Sequence, residues 1–243
     1  MRARPVLALV VTAATAACSH LPSGGLQDTI DAITLATPVT ATAPVLAPAP
    51  RPAVRVGDTY VFGAASVRRV TSVSRTALTW STTSGQALRT SRDFFTPVLE
   101  QTLPGRRIGS RIDGQPGALW PLSVGKSVTF TETRTTSPAV FNREAQVQLR
   151  WNCEVLDTRV SQVPAGDFDT FHVVCKAYRD GFPLPLQTVT WDYAPSLGHY
   201  VRRTWYEGGL QRGSQLGAAL PGPLATPARL QATLERLQQM QQP

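Results

Sequence analysis

The strongest constraint on this chain is a succession of short runs rich in Val, Thr, Phe, Tyr and Trp, separated by Gly, Pro, Asp and Ser. They comprise Thr59–Phe62, Ser66–Val73, Ala77–Thr83, Ser127–Thr135, Gln146–Val160, Thr170–Tyr178, Thr188–Tyr193 and Tyr200–Tyr206. In "QVQLRW" the alternation is strict, with Val147, Leu149 and Trp151 on one side. Such period-two patterning marks antiparallel strands with one face in the core and the other in water. No strand–helix–strand alternation is present, which argues against doubly wound and parallel-barrel enzymes. The expected fold is mainly β: a single domain of curved antiparallel sheet with a C-terminal helix. "TPARLQATLERLQQMQQP" supplies the helix, with Thr226 as cap, Pro227 at the first position and Leu230, Leu234 and Leu237 as an apolar stripe. The stripe is short, so docking onto the domain is expected rather than a coiled-coil partner.

Two segments resemble one another. "VGDTYVF" at Val56–Phe62 and "VGKSVTF" at Val124–Phe130 each place a Gly turn before a strand whose alternate residues face the core. They read either as the openings of a duplicated β-meander or as two uses of a common strand-opening pattern. Between them, "LPGRRIGSRIDGQPGALWPL" holds so much Gly and Pro that a loop is expected, made basic by Arg106, Arg107 and Arg111.

Chemically useful residues crowd most tightly into Trp151–Cys175, "WNCEVLDTRVSQVPAGDFDTFHVVC". The turn signal "VPAG" predicts a hairpin centred on Pro164. That register sets Cys153 opposite Cys175, Val155 opposite Val173, Thr158 opposite Thr170, Arg159 opposite Asp169 and Val160 opposite Phe168. Directly opposed residues sit close enough at Cα for a disulfide. Strand parity turns His172 away from Cys175 and Asp169. A disulfide between Cys153 and Cys175 is therefore expected, not a thiol or metal site.

The N-terminus reads as an export signal over residues 1–17, with Arg2 and Arg4 before the apolar run Val6–Ala14. Ala16 and Ala17 before Cys18 resemble the lipobox of bacterial lipoproteins, although Thr15 stands where an aliphatic residue is usual. The resemblance implies lipidation of Cys18 with palmitate-type acyl chains, and Ser19 in place of Asp implies the outer membrane, periplasmic face. Residues 18–53 are expected to be the anchor and a Pro/Ala-rich tether, with a short helix over Leu26–Leu35. Residues 54–220 are expected to be the β domain, and 221–243 the helical end.

The formal net charge is +8 and comes almost wholly from Arg, since Lys126 and Lys176 are the only lysines. No Arg-rich run or aromatic–basic ladder accompanies it, so nucleic acid is not an expected partner. No G-x-S-x-G, HExxH, P-loop or dinucleotide fingerprint occurs. Asp192 and Glu207 are the one conceivable carboxylate pair. No catalytic, cofactor or metal residue is expected, and the chain reads as a non-enzymatic binding or scaffold protein. Trp80, Trp151, Trp191 and Trp205 are the candidate face for an apolar ligand, and packing accounts for them equally. An accessory role in a larger envelope complex is the alternative, with a cell-wall hydrolase the least favoured.

Three further motifs follow in order. Pro121, Leu122 and Gly125 fit "PL-x-x-G"; Val163–Gly166 with Phe168 and Thr170 fit "V-P-A-G-x-F-x-T". Trp191, Tyr193, Ala194, Pro195 and Gly198 fit "W-Y-A-P-x-x-G", with Asp192 inserted between the aromatics. Over Leu119–Arg203 the chain resembles a family of proteobacterial envelope proteins of unknown function. That resemblance implies a curved antiparallel sheet similar in outline to lipoprotein-carrier folds, and it supplies no catalytic residues.

Overall fold

Each strand pairs with its neighbour in the chain and the last pairs with the first, so twelve antiparallel strands close into a barrel. The structure, a computed structural model, describes residues 43–138 and 144–241. The export signal, Cys18 and the Leu26–Leu35 helix lie outside the described residues. The first half holds β1 (Thr59–Phe62), β2 (Ser66–Val73), β3 (Ala77–Thr82), β4 (Ala87–Ser91), β5 (Val98–Leu103) and β6 (Arg106–Gly114). A 3-10 turn at Pro116–Leu119 leads to the second half: β7 (Ser127–Ser137), β8 (Ala145–Val163), β9 (Gly166–Tyr178), β10 (Gln187–Ala194), β11 (His199–Glu207) and β12 (Leu210–Leu220). Helix α1 (Pro227–Gln239) follows.

The sheet expected to be curved is thus curved to closure. The stretch expected as a basic loop is corrected: it contains strand β6. Gly105, at φ +73°, turns β5 back into β6. Arg107 then pairs across the strands with Glu100, and Arg111 pairs along its own strand with Asp113. Helix α1 docks as expected. Thr226 Oγ1 accepts the Arg229 amide at 3.3 Å, and Leu237 packs against Val61 and Ala218, with Leu230 and Leu234 alongside.

The β8–β9 hairpin follows the expected register only at its base. Cys153 opposes Cys175 and Val155 opposes Val173. The two cysteines form the disulfide, with Cα atoms 4.0 Å apart. Beyond Val155 a bulge displaces the pairing by one residue. Arg159 therefore opposes Thr170, Thr158 opposes Phe171 and Val160 opposes Asp169, which corrects the three expected pairs beyond the bulge. The turn is the two-residue Pro164–Ala165 loop between Val163 and Gly166. The hairpin outruns its neighbours and bends across them. Ala165 N donates to the Leu216 carbonyl of β12 at 3.0 Å, and Arg202 of β11 donates to the Gln162 carbonyl at 2.6 Å.

The two similar segments occupy equivalent places, opening β1 and β7, six strands apart in the ring. Gly57 N donates to the Val70 carbonyl and Val70 N to the Asp58 carbonyl. Gly125 N donates to the Val155 carbonyl and Val155 N to the Lys126 carbonyl. Val70 and Val155 are both fully buried, and each precedes a bulge in its strand. Gly57 (φ +93°) and Gly125 (φ +82°) hold the left-handed turn that a side chain would strain. This shared hydrogen-bond pattern favours a duplicated meander over chance.

Alternation places Tyr60, Phe62, Trp80, Trp151, Val173, Cys175 and Trp191 inside the barrel. The connections at one end close it with Phe95, Leu119 and Leu122, each fully buried. The Pro/Ala-rich segment expected as a tether joins this closure from Pro44 onward. Its Pro44 carbonyl accepts Thr158 Oγ1 at 2.6 Å, Ala49 bridges Leu122, and Arg51 pairs with Asp93 at 2.7 Å.

The disulfide closes a loop across 22 residues of sequence separation. Replacing Cys153 and Cys175 by Ser is expected to cost about 3 kcal/mol, read as a lower urea midpoint. At Gly217 an added Cβ would lie 2.5 Å from the Gly63 carbonyl oxygen and 2.9 Å from Leu237 Cδ1. Gly217→Ala is expected to cost roughly 2 kcal/mol by overpacking and to loosen α1, visible as faster amide exchange in β1 and β12.

Candidate ligand-binding site

Barrel closure brings β3 and β4 toward β10 and β11, and a cavity of about 80 Å³ remains between them. Trp80, Phe94, Trp191, Tyr193, His199, Tyr200 and Arg203 line it, and Pro52 and Val54 of the N-terminal segment cover it. Its rings hold one another in place. Trp80 Nε1 donates to Thr90 Oγ1 at 2.9 Å. Phe94 stacks on Tyr193 with centroids 5.0 Å apart and meets Trp191 nearly edge-on at 6.1 Å.

His199 lies flat on Tyr60 at 3.8 Å, and its Nδ1 donates to the Tyr200 carbonyl at 2.8 Å. Burial pushes its pKa down to about 4; the Tyr200 bond opposes that shift and Arg68 adds to it. The ring is therefore neutral at pH 7. Burial also raises the phenols of Tyr60 and Tyr193 well above their ordinary value. The wall is apolar and uncharged except for its guanidinium groups.

Arg203 supplies the main charge. It opposes Trp191 across β10–β11, and its guanidinium sits 5.7 Å from the Trp191 ring centre and 5.0 Å from that of Trp205. Arg68 of β2 is nearby, donating to Tyr200 Oη at 3.1 Å and lying over Phe62 at 5.4 Å. Of the candidate tryptophans, Trp80 and Trp191 meet at this cavity, and Trp205 flanks Arg203. Trp151 stands apart, stacked on Phe130 with its Nε1 bonded to Glu132 at 2.8 Å. Sequence reasoning missed Arg203, although Val201, Arg203 and Trp205 alternate with it on one face.

The other chemically suggestive residues are used structurally. His172 points away from the disulfide and bonds Asp192 at 2.7 Å. Ser161 Oγ donates to the other Asp192 oxygen at 2.9 Å. The serine is thus bound to the carboxylate, not to the imidazole as a nucleophile would be. Burial alone would raise Asp192, but the bonds from His172 and Ser161 and the nearby Arg159 hold it below the usual carboxylate range. Glu207 lies at the far end of β11, five positions beyond the Arg202 that opposes Asp192, so the two carboxylates do not meet. Among the described residues no cluster of three or more His, Cys, Asp or Glu is placed to hold a metal. A larger groove of about 470 Å³ runs between the β8–β9 tip, β12 and α1, but it is open to the surface and Phe168 is the one aromatic residue among its lining.

Acid stability separates these groups. Below about pH 6.5 the unfolded chain takes up a proton that folded His199 refuses until about pH 4. Stability is expected to fall by roughly 3 kcal/mol across that window, and His199→Phe should flatten it. Asp192 has a depressed folded pKa, so its contribution is present above the ordinary carboxylate range and lost below it. Asp192→Asn should blunt only this second loss. Urea midpoints measured from pH 7 to pH 2 read both.

No protein-family profile matches the chain, and no curated protein matches it. Solved structures resemble its trace, among them the following two. The hypothetical lipoprotein YmcC of Escherichia coli K12 is 10% identical with a TM-score of 0.47, over 69% of this chain and 86% of that one. A Bacteroides fragilis NCTC 9343 protein with a YmcC-like fold is 14% identical with a TM-score of 0.39, over 70% of this chain and 99% of that one. A likeness this loose speaks neither to ligand nor to activity.

Proposed function

We propose that this chain is a lipid-anchored envelope protein that binds a small, largely apolar ligand inside its barrel and performs no chemistry on it. The observation that carries this reading is the aromatic cavity beside Trp80 and Trp191. It is a walled space on which several rings and few polar groups converge, as ligand sites have. A buried disulfide suits an oxidising compartment, in line with the export signal and lipobox read at Arg2–Cys18. Through Cys18 the partner would be the outer membrane, at its periplasmic face.

A second reading, an accessory subunit, is favoured by one observation. The β9–β10 connection exposes Phe182, Leu184 and Leu186 together, and clustered exposed apolar residues suit a protein contact.

Native mass spectrometry of the full chain extracted from its own membrane tests the first reading. A co-purifying small molecule is expected, and its loss in Trp191→Ala would locate it. An empty species with stoichiometric protein partners would move the case to the second. Cys18→Ser is expected to shift the protein from the membrane to the soluble fraction, and retention in the membrane would defeat the lipid anchor.

A further inference from the structure

We infer that the barrel interior is an oxyanion receptor in which Arg203 takes the carboxylate or phosphate of a small amphiphile; this rests on reading the cavity as a ligand site. The Arg203 side chain is half-buried, with the guanidinium held beside the Trp191 and Trp205 rings. Yet its Nε is buried with no hydrogen-bond partner, and no ion pair reaches its guanidinium among the described residues. A cation drawn partly out of water beside aromatic rings is commonly matched by a carboxylate. Arg92, on the same cavity wall, also has a buried Nε without a partner.

The same barrel shows what a matched inward charge looks like. Glu132 is fully buried and accepts from Ser110 at 2.7 Å, from Arg134 at 2.8 and 3.0 Å and from Trp151 at 2.8 Å. Its acceptors are taken, so it is not available to Arg203. Asp192 projects from the opposite face of β10 onto His172 and Ser161. Arg68 approaches with positive charge, not negative. The interior therefore gathers Arg68, Arg92 and Arg203 around aromatic rings, and among the described residues no carboxylate is paired with them.

A guanidinium is suited to a planar oxyanion because its fork can donate two parallel bonds. The flanking rings fix it so that little freedom is lost on binding. A cavity of about 80 Å³ compares with roughly 30 Å³ for one water, which suits an acid group with a few attached carbons. A large lipid does not fit.

Tryptophan fluorescence and calorimetry on the full chain test this with propanoate, ethyl phosphate and, as the uncharged probe, 1-propanol, which match the size of the cavity. Either acid is expected to bind at least tenfold more tightly than the alcohol, and whichever acid binds better identifies the anion. Arg203→Met should erase that preference, and Arg203→Lys should restore part of it. Without ligand, Arg203→Met is expected to lower the thermal midpoint by no more than a few degrees, because ring contacts but no internal ion pair are lost. Equal binding of all three probes, unchanged by Arg203→Met, would overturn the receptor while leaving an apolar cavity. A large loss of stability in ligand-free Arg203→Met would overturn it as well, by showing Arg203 to be a structural cation. No binding of any probe would overturn both receptor and cavity.

Discussion

Closure of the ring between β1 and β12 is the contact on which the rest depends. Strand β1 has four residues, all buried. Tyr60 and Phe62 face the interior, while Val61 faces outward under α1. A bulge after Val61 brings Phe62 opposite Leu216, and Gly217 leaves room for the close approach of Gly63. An unclosed sheet would leave β1 and β12 as exposed edges. It would also separate β3 and β4 from β10 and β11, the two wall pairs of the cavity. The site is a product of topology more than of any local motif.

That dependence explains what the sequence discloses. The strongly alternating strands and the Cys153–Cys175 pairing are legible because neighbouring residues specify them. One bulge after Val155 is enough to undo the expected pairs nearer the turn, since a shift of one residue reverses every face. Strand β6 carries Arg106, Arg107 and Arg111, and β12 carries Gly213, Gly217, Ala218 and Ala219. Neither looks like a strand, because its stability comes from pairing on both sides rather than from its own propensity. Closure itself is illegible, resting on a four-residue strand meeting a Gly/Ala-rich one. Trp80 and Trp191 are named readily as aromatic candidates, but nothing local says that they converge while Trp151 does not. Arg203 looks like one arginine in an arginine-rich chain until the register turns it inward.

The duplicated openings of β1 and β7 add a second level. Both halves anchor a Gly turn on a buried valine, Val70 or Val155, and both bulge just beyond it. The halves then diverge in their inward charges. Glu132 of the second half is satisfied by Arg134, Trp151 and, across from β6, Ser110, whereas Arg203 Nε, where the halves face one another, is left without a partner. An interior that completes one ionic network and leaves another open is more readily understood as a receptor than as a packed core.

The most direct measurement is a crystal structure of the protein extracted from its own membrane, without exchange of small molecules. Density is expected in the cavity between Trp80 and Trp191, with an acid group on the Arg203 guanidinium and a short apolar body toward Trp80. A guanidinium paired with a carboxylate of the chain itself, in a cavity filled by side chains, would contradict it.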